Sequence, residues 1–237
     1  MVREAFKGLK NHQQAVVDFL SSERPGLVLD AGGGTDALGA HLRQKGFKVV
    51  SLDLFETPVE KGSFVRGDLN RALPFIGGTF DYVLCSESLQ YLENHTGLFR
   101  EFSRVLKDGG SAVISIPNVL SASSRLYFLQ RGYYKSFKPV RTVDGGKGWD
   151  SIAYNPVSLV DIIELATRSS FSLKALKASR LKSSNLLLYP LLKALYMAGS
   201  IFEKESAKAQ LIKALSSKEA LLGDHLIIQL ERTKRQV

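Results

Sequence analysis

At 237 residues and 44% hydrophobic content, the chain has apolar side chains for one good core and sits at the upper end for a single domain, so one domain with elaborations is expected over 1–237. Its net charge of +9 suits an anionic partner such as nucleic acid, a phosphorylated substrate or a membrane surface. The lone cysteine, Cys85 in the apolar run YVLC, excludes an internal disulfide, and the charged start MVREAFKGLK lacks a signal-peptide core, so a cytoplasmic protein is expected.

The elements alternate along the chain. NHQQAVVDFLSS (11–22) reads as a helix, LVLDA (27–31) as a buried strand, and DALGAHLRQKG (36–46) as a helix stopped by Gly46. FKVVSLD (47–53) is the second strand and FVRGDL (64–69) a short third. After a loop with Pro74 and Gly77-Gly78 comes the apolar strand FDYVLCSE (80–87), then a helix from about Leu98 to Leu106 ended by KDGG, then the strand SAVISIP (111–117). FSLKALKAS (171–179) and DHLIIQLER (224–232) read as the sixth and seventh strands. This alternation predicts an α/β fold with a doubly wound, mostly parallel sheet covered on both faces.

In such a sheet, ligands bind beyond the carboxyl ends of the strands, and the loop after the first strand is the usual contact. Gly32, Gly33 and Gly34 occupy that loop, where glycine lets backbone turn sharply and approach a ligand. The string GGGTDA also satisfies the dinucleotide fingerprint, which keeps a nicotinamide-dependent oxidoreductase in view. Asp30 argues against it, because a carboxylate at that strand end would face a pyrophosphate and suits a cationic ligand better. Asp53, 19 residues past Gly34, stands where a carboxylate accepts from both ribose hydroxyls. Asp68 in RGDL ends the third strand, within reach of an adenine amino group. Any one of these aspartates alone reads as a turn or helix-cap residue; three in consecutive loops read as a site.

VLDAGGGTDALGAHL, VVSLD, GDLN, FDYVLCSESLQYLEN and LKDGGSAVISIPN, in that order over about residues 27–118, resemble the successive motifs of class I S-adenosylmethionine-dependent methyltransferases. The resemblance implies a seven-stranded Rossmann-like sheet whose last strand is antiparallel, with S-adenosyl-L-methionine as cofactor. It places Asp30, Gly32 and Gly34, with Gly33 between them, around the methionine part, Asp53 at the ribose, Asp68 with Leu69 at the adenine, and Ser86 with Glu87 near the reacting methyl. Two positions depart from the family pattern. Asp36 stands where a third glycine is common, as a helix cap or as added negative charge. Tyr91 stands where some relatives carry histidine, either lining the acceptor pocket or packing under a lid.

No catalytic base is assigned and no metal site is expected. His12, His41 and His225 read as structural, while His95 in LENHTG is a candidate base in a loop on the cofactor side. Residues 119–156 form an insertion that mixes Tyr127, Phe128, Tyr133, Tyr134, Phe137, Trp149 and Tyr154 with Arg125, Arg131, Lys135, Lys138, Arg141 and Lys147. It reads as a lid over an anionic acceptor, as a base-stacking surface, or as a packed loop with solvated charges. This part resembles bacterial methyltransferases of cell-surface glycan pathways. Residues 180–223 form a second, hydrophobic helical insertion, whose run 186–202 reads as a membrane-surface element, a partner-binding or homodimer helix pair, or a core extension. The run is too short to span a bilayer comfortably.

The sequence thus predicts a methyltransferase acting on an anionic small-molecule, glycan or lipid-linked acceptor, peripheral at a membrane if 186–202 serves that purpose. A nucleic-acid methyltransferase is disfavoured because no Asn-Pro-Pro-Tyr type motif is present. A non-catalytic cofactor-binding protein of the same fold is the remaining alternative.

Overall fold

The computed structural model describes residues 9–55, 63–137, 155–200 and 206–233. Helix α1 (Asn11–Ser21) precedes strand β1 (Leu27–Ala31), helix α2 (Ala37–Gln44) and strands β2 (Lys48–Asp53), β3 (Phe64–Arg66) and β4 (Phe80–Ser86). Helix α3 (His95–Val105) leads into β5 (Leu106–Pro117), α4 (Ala122–Arg131), α5 (Leu159–Arg168) and β6 (Phe171–Ala178). Helices α6 (Tyr189–Ser200), α7 (Ser206–Leu215) and α8 (Lys218–Leu222) then separate β6 from β7 (His225–Arg232).

The strands form one seven-stranded sheet in the order β3-β2-β1-β4-β5-β7-β6, in which β7 alone runs antiparallel to its neighbours β5 and β6. The order reverses between β1 and β4, the switch point at which such sheets bind ligands. Both faces of the sheet are covered, which explains why its central strands are apolar on successive residues. In β1, Leu29 and Ala31 face one core and Val28 faces the other.

One core is closed by α3 and α5, through Phe99, Phe102, Ile162 and Ala166. The other is closed by α1 and α2, through Val16, Leu20, Leu38 and Leu42, whose four-residue spacing puts each pair on one helical stripe. Asn94 caps α3 by accepting the Gly97 amide at 3.0 Å, so this helix begins at His95, earlier than the apolar pattern alone suggests. Strand β5 begins at Leu106, five residues before its apolar run.

The first insertion opens with a regular helix. Ser121 caps α4, and Gly132 ends it in a left-handed conformation at φ 74°. Residues 138–154 of this insertion, including Lys138, Arg141, Lys147, Trp149 and Tyr154, lie outside the described residues. The second insertion divides in two. Leu215, Ala220, Leu221 and Leu222 are buried, so α7 and α8 extend the core, whereas α6 keeps several leucines on its outer side. Ile201 and Phe202, at the end of the apolar run, lie outside the described residues.

Candidate active site

The chain turns sharply between β1 and α2. The amides of Gly32 and Gly33 both donate to the carbonyl of Leu52, at 2.8 and 3.3 Å, which folds the turn back against β2. Gly32 adopts φ 85°, and a Cβ there would lie 2.2 Å from Ser88 Oγ, so both conformation and space demand glycine. The Gly34 amide donates to Asp53 Oδ2 at 2.9 Å, and the Phe55 amide donates to Asp53 Oδ1 at 3.0 Å. Asp53 therefore presents a carboxylate whose two oxygens are fixed from behind. Asp68 is oriented likewise by the Asn70 amide at 2.9 Å.

At the end of β4, Ser86 Oγ lies 2.9 Å from Ser115 Oγ on β5. Glu87 takes φ 56°, an uncommon conformation for a residue with a side chain, and such strain concentrates at functional sites. Its carboxylate accepts from Ser115 Oγ at 3.3 Å and from the Gln90 side-chain amide at 3.4 Å. Burial pushes the Glu87 pKa up, and His225 together with those two bonds opposes the shift.

These groups surround a cavity of about 580 Å³ over the ends of β1, β2 and β4. Seven of the nine residues expected at a cofactor line it: Gly32, Gly34, Asp53, Asp68, Leu69, Ser86 and Glu87. Thr35, Leu54, Phe55, Asn70, Ser88, Tyr91 and Leu92 are among the others. Tyr91 thus faces the cavity. Asp30 and Gly33 are not on its wall. Asp30 points towards the α2 side of the sheet, beneath the turn, and is 1% exposed; a Cβ on Gly33 would lie 3.1 Å from its Oδ2. Among the described residues neither Asp30 oxygen has a hydrogen-bond partner. Burial, reinforced by the nearby Asp36 carboxylate, pushes the Asp30 pKa up to about 7.

Asp36 makes no helix-cap bond. It sits in a left-handed conformation at φ 58° and receives the Arg43 guanidinium at 2.6 Å and the Ser51 hydroxyl at 2.8 Å. His95 opens α3, and its Nε2 lies 2.8 Å from the Leu89 carbonyl. It faces a separate cleft of about 460 Å³ lined also by Glu93, Asp161, Glu164 and Arg168, and not the cavity at the glycine turn.

His225 has a different position from the one its pattern suggests. Because β7 runs antiparallel, its first residue pairs with Pro117 and reaches the edge where β4 and β5 end. The His225 ring stacks on that of His12 with centroids 4.7 Å apart, and its Nε2 is 3.7 Å from Glu87 Oε2. Burial, followed by the charge of His225, lowers the His12 pKa to about 4, so His12 is neutral at pH 7. On its other side His225 borders a polar cleft of about 150 Å³ with Asn118, Ser121, Ser124, Tyr134, Lys135 and Lys182. The sequence signal for this neighbourhood is only that His225 begins a strand; the meeting with residue 12 is purely tertiary.

The larger cavity fits the expected cofactor on its own geometry. It combines a turn that requires glycine at position 32, a doubly anchored carboxylate at the end of β2, and an unpartnered buried acid beneath the turn. Comparison with known proteins agrees. The family model described as "Methyltransferase domain" matches residues 4–151, more than half of the chain. The bifunctional methionine biosynthesis protein MetXA/MetW of Rhodopirellula baltica is 32% identical over 120 residues, covering 44% of this chain and 19% of that protein. The ubiquinone biosynthesis O-methyltransferase of Pseudomonas paraeruginosa is 26% identical over 188 residues, covering 65% of this chain and 80% of that protein. The chain spans only about a fifth of the length of the first two curated relatives it matches, at 19% for each. A SAM-dependent methyltransferase from Archaeoglobus fulgidus shares the fold with a TM-score of 0.58 at 18% identity, covering 98% of each chain. The chain belongs to the family whose model is described as a methyltransferase domain, and its sheet shares the fold of the SAM-dependent methyltransferase from Archaeoglobus fulgidus.

Proposed function

We propose that the chain works as one methyltransferase domain that moves a methyl group from S-adenosylmethionine to a small anionic acceptor. The observation that carries this reading is the convergence of the glycine turn, Asp53, Asp68 and Glu87 on one cavity, with Glu87 3.7 Å from His225 of a second, polar cleft that holds Lys135, Lys182 and Asp224. The bound cofactor supplies an electrophilic methyl on a sulfonium. In this reading Asp53 accepts from the ribose hydroxyls with the lone pairs that the Gly34 and Phe55 amides leave open. Asp68 and Leu69 hold the adenine, and Ser86 and Glu87 stand at the methionyl end. Asp30 acts from beneath the turn, its charge attracting the cofactor's ammonium through the loop.

Methyl transfer is a displacement that needs three atoms in line and water excluded, so holding both reactants contributes more than any single proton transfer. Good alignment removes about 7 to 11 kcal/mol of the barrier. The acceptor occupies the polar cleft, where Lys135 and Lys182 meet its negative charge and the serines around the start of α4 supply hydroxyls. An anionic quinone precursor, a glycan acid or a lipid-linked phosphate would satisfy that chemistry equally.

Isothermal titration with S-adenosylhomocysteine, S-adenosylmethionine and NAD tests the cofactor half, and transfer of radiolabelled methyl into fractionated cell extract tests the acceptor half. Binding of both adenosyl ligands without NAD, and label in fractions retained by anion exchange, are expected. Binding of NAD alone would overturn the cofactor assignment, and label confined to neutral fractions would overturn the acceptor class.

A further inference from the structure

We propose that α4 and the segment from Leu181 through α6 form one docking surface for an anionic lipid bilayer. Nine of the fourteen large apolar side chains exposed among the described residues belong to these two stretches, Leu129 at 82% and Leu187 at 89% being the extremes. In α6, Leu192 and Tyr196 are half-buried against the protein, while Leu191 and Leu195, four residues apart, are exposed on the outside, as is Leu187 in the turn before the helix. The inner stripe already supplies this helix's packing, so the outer one is left for another partner.

The two stretches adjoin. The Ser123 amide donates to Asn185 Oδ1 at 3.1 Å, and the Arg125 guanidinium lies 5.2 Å from the centre of the Tyr196 ring. Their charge is one-sided. Residues 121–137 and 180–200 contain Arg125, Arg131, Lys135, Arg180, Lys182 and Lys193 and no aspartate or glutamate. Apolar side chains beside an excess of lysine and arginine are the composition that holds a helix at an anionic lipid surface.

Charge also separates the bilayer from a second copy of the chain. A two-fold dimer sets the same patch against itself, so its lysines and arginines, of which among the described residues only Arg180 has a carboxylate partner in Asp224, would face their own image. The 12-residue α6 reaches about 18 Å, short of a hydrocarbon core of roughly 30 Å, and Lys193 near its centre opposes deep burial. The helix therefore lies along the surface. Among the described residues no helix is long and apolar enough to cross a membrane. This inference stands independently of the cofactor assignment.

The test is co-sedimentation of the full chain with phosphatidylcholine vesicles, with and without phosphatidylglycerol. Binding to the anionic vesicles should exceed that to the neutral ones by about tenfold or more at low salt and fall as salt rises. Leu129→Glu, Leu187→Glu and Leu191→Glu should each weaken it while leaving the melting temperature unchanged, since all three side chains are solvent-exposed. No sedimentation by a protein with a normal melting transition would overturn the proposal, and so would binding indifferent to lipid charge. A concentration-dependent dimer that Leu187→Glu abolishes, seen by light scattering without vesicles, would assign the surface to a second copy instead.

Discussion

The backbone amide of Gly34 donates to Asp53 Oδ2 at 2.9 Å, tying the turn after β1 to the carboxylate that ends β2. One bond thus fixes both the turn and the acid. Asp53→Ala removes two charge-assisted bonds to a ribose, each contributing about 1.5 to 3 kcal/mol, with water recovering part of the loss. The expected weakening of S-adenosylhomocysteine binding is roughly 2 to 4 kcal/mol. Asp53→Asn retains an acceptor oxygen and should fall between the two. Calorimetric titration measures both, and wild-type affinity in a folded Asp53→Ala protein would remove the ribose assignment.

Asp30 gives the site a pH dependence. Its carboxyl is held to about 7 in the folded chain against 3.8 ordinarily. The unfolded chain therefore releases this proton before the folded chain does. Stability consequently falls as pH rises through that window, and the full penalty is present above it. Asp30→Asn should raise the melting temperature most at about pH 8 and least near pH 4. A cationic ammonium above the turn favours the charged carboxylate, so S-adenosylhomocysteine should bind more tightly as pH rises through neutrality, with proton release. Titrations in buffers of different ionisation enthalpy detect that proton. A flat pH profile in the wild-type protein would place the ammonium elsewhere.

The parts legible in the sequence are those where local pattern and fold agree. LVLDA and FDYVLCSE are apolar on successive residues because both faces of the sheet are covered, so their burial shows without any partner being known. The cavity wall was legible for a related reason, since Gly32, Gly34, Asp53 and Asp68 lie at or just beyond the ends of strands that share one edge. Asp30 was harder to place. It sits one residue out of phase with Leu29 and Ala31, and strand alternation turns it to the opposite face, beneath the turn. His225 and His12 were illegible because 213 positions separate two rings that only the antiparallel β7 and the packing of α1 bring together. The 3-residue β3 and the early start of α3 also depended on partners, namely β2 and the Asn94 side chain.

Asp36 and Arg43 lead to a stability prediction. Asp36 is 7% exposed and shares its neighbourhood with Asp30, so Arg43 is the cation that offsets two clustered acids. Arg43→Met would leave Asp36 with only the Ser51 hydroxyl as its side-chain partner. Removing one member of a well-buried pair costs about 3 to 5 kcal/mol, and the partly exposed guanidinium places this case at roughly 2 to 4. The same substitution removes a charge that holds the Asp30 pKa down, so the pH-dependent loss of stability should become larger and extend to higher pH. Urea denaturation at two pH values measures both effects. A loss below about 0.5 kcal/mol would show that the pair is a surface interaction without structural weight.

The polar cleft supplies the last prediction, and its two lysines are the means of testing it. Lys135 and Lys182 line the smaller cleft and not the cavity at the glycine turn, so their substitution should leave S-adenosylhomocysteine affinity unchanged. An anionic acceptor loses one charge-assisted bond with each lysine, about 1.5 to 3 kcal/mol apiece before water recovers a share. Lys135→Gln combined with Lys182→Gln should then reduce methyl transfer at low acceptor concentration by roughly 100-fold, through KM more than through kcat, because the contact is made equally before and during transfer. Charge reversal to glutamate at both positions should cost more than the glutamine pair, since like charge then repels the acceptor. Asp224 also lines the cleft and offsets part of its positive charge, although it is shared with Arg180 at 3.2 Å and Ser179 at 2.8 Å. Radiolabel transfer into the anion-exchange fractions, measured for wild type and both double variants, decides the matter. Equal labelling by all three proteins would show that the acceptor's charge is met elsewhere, whereas a loss of S-adenosylhomocysteine binding alongside would show that the lysines act on the cofactor.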